Sequence, residues 1–158
     1  MGDIFQCPPS PAYSTGFLGN GGGSGYGCAQ AVLGAFCADF DLDEETALRI
    51  STGFGSGMGR LCEVCGALTG GFMVIGLKYG KVITDGTKYG SNTEQTYALV
   101  AELAERFRQR YGTIKCRELT GLDLSDPVQR QRARDEGVFK NDCAGYICST
   151  VEMLEEII

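Results

Sequence analysis

The sequence predicts an all-α fold: one compact multi-helix domain behind a flexible, Pro/Gly-rich N-terminal tail. Three observations carry this. Apolar residues recur at helical spacing in the longer segments, no convincing run alternates with period two, and the breaks between segments are rich in glycine or carry proline. A chain of 158 residues suits a single domain, large enough to bury roughly two-thirds or more of its unfolded surface without help from a metal or disulfides.

Residues 1–25 are Pro-rich and then Gly-rich ("GNGGGSG") and form the expected tail. A first helix is expected over 26–40, where Ala29, Leu33, Phe36 and Phe40 share one face. "DEETALRIS" follows as a second helix, with its acids at the positive end of the helix dipole. "GFGSGMG" breaks the chain, and a third helix is expected over 65–79. The stretch 80–92, with Gly80, Gly86 and Gly90, reads as a loop. A long helix over 93–111 carries the stripe Tyr97, Val100, Ala104, Phe107 and Tyr111, with Glu102, Glu105, Arg106 and Arg110 outward. "TGLDLSDP" reads as a loop, and Asp126 and Pro127 start a polar helix. The last helix begins near Asp142 with the stripe Cys143, Ile147, Val151, Leu154 and Ile158.

Composition removes several classes of function. A formal charge of −6 and a pI near 4.7 argue against nucleic acid or an anionic membrane surface as partner, because phosphates must be met by clustered Lys and Arg. The longest apolar stretch, "ALTGGFMVIGL", is about half of the roughly 20 residues that a spanning helix needs, so no membrane insertion is expected. The N-terminus lacks the basic and apolar regions of a secretory signal, which makes the cytoplasm the expected location. Thiols stay reduced there, and eight cysteines in such a compartment point to metal binding or redox chemistry before a disulfide framework. There is no histidine. That excludes Ser-His and Cys-His nucleophiles and histidine-containing zinc or haem motifs, and leaves thiolate or carboxylate to hold any metal. No group is placed as a general acid or base, so no specific reaction is assigned.

The cysteines are not equivalent. Cys37 and Cys148 fall on or beside apolar stripes and read as small buried hydrophobes, while Cys7, in the tail, is given no structural role. Cys28, Cys65 and Cys143 each stand at an expected helix start, and Cys116 opens the short segment "CRELTG". Free N–H groups and partial positive charge at a helix start favour thiolate, as an anionic thiolate-ligated centre requires. "GFGSGMG" does not match a nucleotide loop; its glycines more simply let backbone pass close to a neighbouring site. Asp123 and Asp126 lack the further oxygen ligands of a calcium loop.

The segments "GYGCAQAVLGAF", "TGFGSGMGRLCEVCGALTGGFMVIGLKYG", "YGTIKCRELTG" and "DCAGYICSTV" together resemble the C-GCAxxG-C-C family of redox-active proteins, in family order over about residues 24–157. Carried over residue by residue, the family motif begins at Cys65, Gly66 and Ala67 and closes at Gly70, and the other family cysteines map to Cys28, Cys116 and Cys143. The resemblance implies a helical redox domain over 26–158. Related domains occur fused to multihaem cytochromes that also carry an iron–sulfur cluster, so it further implies cluster ligation by this quartet. Cys62 stands where the family has a small residue without a thiol, and Gly27 replaces the Asn that commonly precedes the first Cys.

The leading expectation is an electron-transfer protein that works with a redox partner protein and holds an iron–sulfur cluster on Cys28, Cys65, Cys116 and Cys143. A second is a thiol–disulfide oxidoreductase in which Cys62 and Cys65 cycle as a dithiol, with Cys65 as attacker. A third is a Cys₄ zinc site, or an interaction domain with no metal at all. Of the pair in "CEVC", Cys65 is the expected functional half, because it starts the apolar helix; for Cys62 a tolerated thiol and a redox role, as alternative ligand or resolving thiol, both stay open.

Overall fold

The computed structural model describes residues 25–81 and 91–158. Most of the expected tail, with Cys7, and part of the expected 80–92 loop lie outside the described residues. The described chain is helical and without strands: α1 (Cys28–Phe36), α2 (Glu44–Ser51), α3 (Gly66–Tyr79), α4 (Ser91–Tyr111), α5 (Cys116–Thr120), α6 (Pro127–Asp135) and α7 (Asp142–Ile157). Short 3₁₀ turns follow α1 (Cys37–Phe40) and α2 (Thr52–Phe54). None of the described helices is long and apolar enough to cross a membrane.

α3 is the central element, in contact with α1, α4 and α7. Its sequence, GALTGGFMVIGLKY, is apolar almost all round, as a helix with neighbours on several sides must be. Two adjacent glycines set how closely those neighbours approach. A Cβ on Gly70 would stand 2.8 Å from the Ala29 carbonyl oxygen and 3.0 Å from Val32 Cβ, both on α1. On Gly71 it would stand 2.8 Å from Leu103 Cδ2 of α4 and 3.1 Å from Thr150 Cγ2 of α7. The fully buried side chains around them include Leu33, Leu68, Ile75, Leu103, Phe107 and Leu154.

Local rules set the boundaries. Asp43 caps α2 by accepting the Thr46 N–H at 2.9 Å, and Asp126 caps α6 by accepting the Val128 N–H at 2.9 Å with Pro127 in the first turn. The long helix departs from its expected stripe, because Tyr97 is 61% exposed while Leu103 is fully buried. At about 100° per residue, Tyr97 lies roughly 80° round the helix from Phe107, whereas Thr96 and Leu103 fall within about 40° of it. Thr96 accordingly faces inward and donates its hydroxyl to the Tyr79 carbonyl at 3.1 Å.

"GFGSGMG" breaks the chain as expected, in an unusual conformation. Ser56 (φ 55°), Gly57 (φ 68°), Met58 (φ 69°), Gly59 (φ 67°) and Arg60 (φ 71°) are all left-handed, and so is Cys62 (φ 60°). The Gly59 N–H donates to the Gly55 carbonyl at 2.8 Å and the Glu63 N–H to the Gly57 carbonyl at 3.1 Å. Each non-glycine residue there costs about 1–2 kcal/mol, so the turn persists only because its surroundings hold it.

Candidate functional site

Four chain segments deliver a cysteine to one place. Cys28 is the first residue of α1, behind Gly27, whose N–H donates to Gln30 Oε1 at 2.8 Å. Cys65 is the N-cap of α3 rather than its first residue, and its N–H donates to the Ile114 carbonyl at 2.8 Å. Cys116 opens α5, its N–H donating to the Glu63 carbonyl at 2.6 Å. An antiparallel bridge, Val64 with Lys115, thus ties the Cys65 segment to the Cys116 segment. Cys143 lies in the first turn of α7, with its N–H donated to the Val138 carbonyl at 3.0 Å. For these last three, the residue's own amide fixes the position of its Cα and is not left free.

Cys28, Cys65, Cys116 and Cys143 line one cavity of ≈ 20 Å³, about the room one water needs. Ser56 and Gly57 of the left-handed turn close it on one side, and Leu119, Leu124, Phe139 and Tyr146 are among the residues that make its apolar wall. Cys28 is half-buried and the other three are buried. The backbone packs closely here because side chains are missing: a Cβ on Gly66 would come within 2.9 Å of the Phe54 carbonyl oxygen and 3.1 Å of Cys28 Cβ. Gly57 does the same beside Cys116. The glycine-rich break therefore serves close approach, as its composition implies.

The four thiols are electrostatically unequal. The Cys143 thiol donates to Cys28, which lowers Cys28 from its ordinary value and pushes Cys143 strongly up. Burial drives Cys65 well up, with the negative character of Cys28 adding to it; the amides of Ala67 and Leu68 in the first turn of α3 oppose this without reversing it. Burial also pushes Cys116 up to about 12. The helix-start effect is thus present at Cys65 but smaller than desolvation. Within the quartet, Cys28 is thus the thiol whose ionisation is eased and Cys143, Cys65 and Cys116 are those whose ionisation is opposed. Four thiolates can coexist in this setting only round a group that supplies positive charge, as a coordinating metal does.

A family model described as "Putative redox-active protein (C_GCAxxG_C_C)" matches residues 26–157. The chain belongs to this family. No curated protein and no solved structure matches it. The description of the C-GCAxxG-C-C family points to redox activity.

The donor chemistry at the site fits a thiolate-ligated group: four sulfurs, no carboxylate among the cavity residues, and an apolar wall. As placed, the sulfurs are not closed round one ion, for among the described residues no three His, Cys, Asp or Glu side chains are grouped to hold a single metal.

The other cysteines sort differently. Cys37 is a buried thiol that donates to the Gly34 carbonyl at 3.1 Å. Cys148 is buried but disulfide-bonded, which corrects its reading as a plain hydrophobe. Cys62 is buried as well. It is 2% exposed, and its Sγ accepts the Leu124 N–H at 3.2 Å. It does not line the cavity, so "CEVC" contributes Cys65 alone. Sequence reasoning missed Tyr146, which stands three residues after Cys143 on α7, lines the same cavity and donates its hydroxyl to the Leu119 carbonyl at 3.2 Å. The i, i+3 spacing from a site cysteine was the available signal.

Proposed function

We propose that Cys28, Cys65, Cys116 and Cys143 ligate an iron–sulfur cluster and that the protein passes electrons to and from a redox partner. One observation carries the reading: four separate segments each bring a thiol to one small, apolar-walled cavity. Thiolates are the usual protein ligands of such clusters, and hydrogen bonds and burial set their potential. The cluster supplies one-electron chemistry when bound. The chain's own residues do the rest: Gly66 and Gly57 let backbone crowd the site, the Ala67 and Leu68 amides point positive character at Cys65, and Leu119, Leu124 and Phe139 restrict water. A water-sized cavity requires the side chains to move outward as the group enters.

Anaerobic purification, followed by a visible spectrum and assays of iron and acid-labile sulfide, tests this. Wild type and Cys37→Ala are expected to carry iron and sulfide, and Cys65→Ser to lose both. Iron retained in a folded Cys65→Ser protein would refute the ligand set.

A second reading rests on Cys143 and Cys28 lining the same cavity, with each shifting the other's acidity in opposite directions. A thiol–disulfide oxidoreductase would use this pair rather than Cys62 and Cys65. Cys28 sulfur would attack a substrate disulfide, its departing thiol leaving with a proton, and Cys143 would then displace the second substrate thiol to form the Cys28–Cys143 disulfide. A metal-free protein with a reversible Cys28–Cys143 disulfide would favour it.

A further inference from the structure

Cys62 is a buried cysteine that the proposed cluster does not use, and it is packed in one apolar cluster with Cys116, which the cluster does use. A Cβ on Gly57 would stand 2.6 Å from Cys116 Cβ and 2.9 Å from Cys62 Cα. Both cysteines therefore border the same gap, and Cys116 Cβ and Cys62 Cα can be no more than about 5.5 Å apart, close enough for a disulfide to need no large backbone movement. The backbone holds them in register, with the Arg117 N–H donating to the Cys62 carbonyl at 3.2 Å and the Cys116 N–H to the Glu63 carbonyl at 2.6 Å. Both also belong to one small apolar cluster with Leu122, Leu124, Ala133 and Val138, apart from the core that contains Cys65. Cys62 is fixed there in a left-handed conformation (φ 60°), and the Leu124 N–H on its sulfur holds the side chain beneath the site.

We infer that Cys62 and Cys116 form a reversible regulatory disulfide that withdraws Cys116 from the four-cysteine set. The oxidant class is a hydroperoxide. One thiol sulfur takes the distal oxygen as the O–O bond breaks, giving a sulfenic acid and the alcohol (water, when the oxidant is hydrogen peroxide). The second sulfur then forms the S–S bond as the S–O bond breaks. Two thiols and one hydroperoxide thus give one disulfide, one alcohol and one water, and a dithiol reductant reverses the change. Three thiols remain at the cavity, so the oxidised protein cannot assemble the full ligand set. This consequence rests on the proposed cluster; the disulfide itself does not.

The test begins with reduced, metal-free, full-length protein treated with one equivalent of hydrogen peroxide, alkylated, and cleaved after glutamate. Glu63 separates Cys62 from Cys65, and Cys28, Cys116 and Cys143 fall on three further peptides. The expected product is the Cys62 peptide joined to the Cys116 peptide, two hydrogens lighter than the sum, and absent from Cys62→Ser. Iron and sulfide uptake by the oxidised wild type should be lost and then restored by dithiothreitol. Full alkylation of Cys62 after oxidation, or linkage of Cys116 to another cysteine, would overturn the inference. If Cys62→Ser does not fold, the wild-type peptide map decides alone. Failure of the reduced protein to take up iron sinks the cluster reading and leaves the peptide map to judge the disulfide independently.

Discussion

Cys37 and Asp123 test how far individual side chains support the site without belonging to it. Cys37 is buried on the main core and makes one weak hydrogen bond to Gly34. Cys37→Ala is expected to lower unfolding free energy by about 1–2 kcal/mol in urea titrations, with metal content per folded molecule unchanged. Cys148→Ala is not an equivalent control, because that residue is disulfide-bonded. Asp123 shapes the turn that presents the Leu124 N–H to Cys62: its carboxylate accepts from the Ser125 hydroxyl at 2.6 Å and pairs with Arg117 at 2.9 Å. Ser125, then Arg117, holds its carboxyl down at about 2. A depressed folded value stabilises the fold above the ordinary carboxylate value of 3.8, and that contribution fades as pH falls through about 2. Stability measured from pH 5 downward should therefore drop more steeply in wild type than in Asp123→Asn, which lacks the contribution throughout. Equal slopes would show that the pairing is too well solvated to matter.

At the scale of elements, α3 makes the sharpest comparison, because its glycines differ in surroundings on a single helix. Gly70→Ala would drive a Cβ to 2.8 Å from the Ala29 carbonyl and should cost about 1–3 kcal/mol through displacement of α1, carrying Cys28 with it. Nothing lies within 4 Å of a Cβ on Gly76, so Gly76→Ala should stabilise by about 0.5–1 kcal/mol through helix propensity. Thermal unfolding of the two variants checks both signs. Helix existence was legible because apolar spacing, the Asp126-Pro127 cap and the glycine break each have a local cause. Two features were not. The inward face of α4 hinged on choosing Leu103 over Tyr97, and a loose stripe of aromatics does not resolve a rotation of that size. The left-handed run was hidden because Ser56, Met58, Arg60 and Cys62 ordinarily avoid positive φ, and only packing against the Cys62 and Cys116 segments imposes it.

The whole molecule decides what no element can, namely that cysteines from residue 28 to residue 143 share one cavity. Helix starts and the family pattern picked out that quartet in the sequence, but spacing says nothing of distances across the fold. The place of Cys62 beside Cys116, and the sharing of one cavity by Cys28 and Cys143, came only from packing across the fold. The central claim is that these four sulfurs ligate iron together. Iron-edge X-ray absorption of the anaerobically purified protein addresses it most directly. The account predicts an iron shell made of sulfur alone with iron–iron neighbours beyond it, both lost in Cys116→Ser. A shell containing nitrogen or oxygen, isolated iron without iron neighbours, or an unchanged spectrum in Cys116→Ser would contradict it.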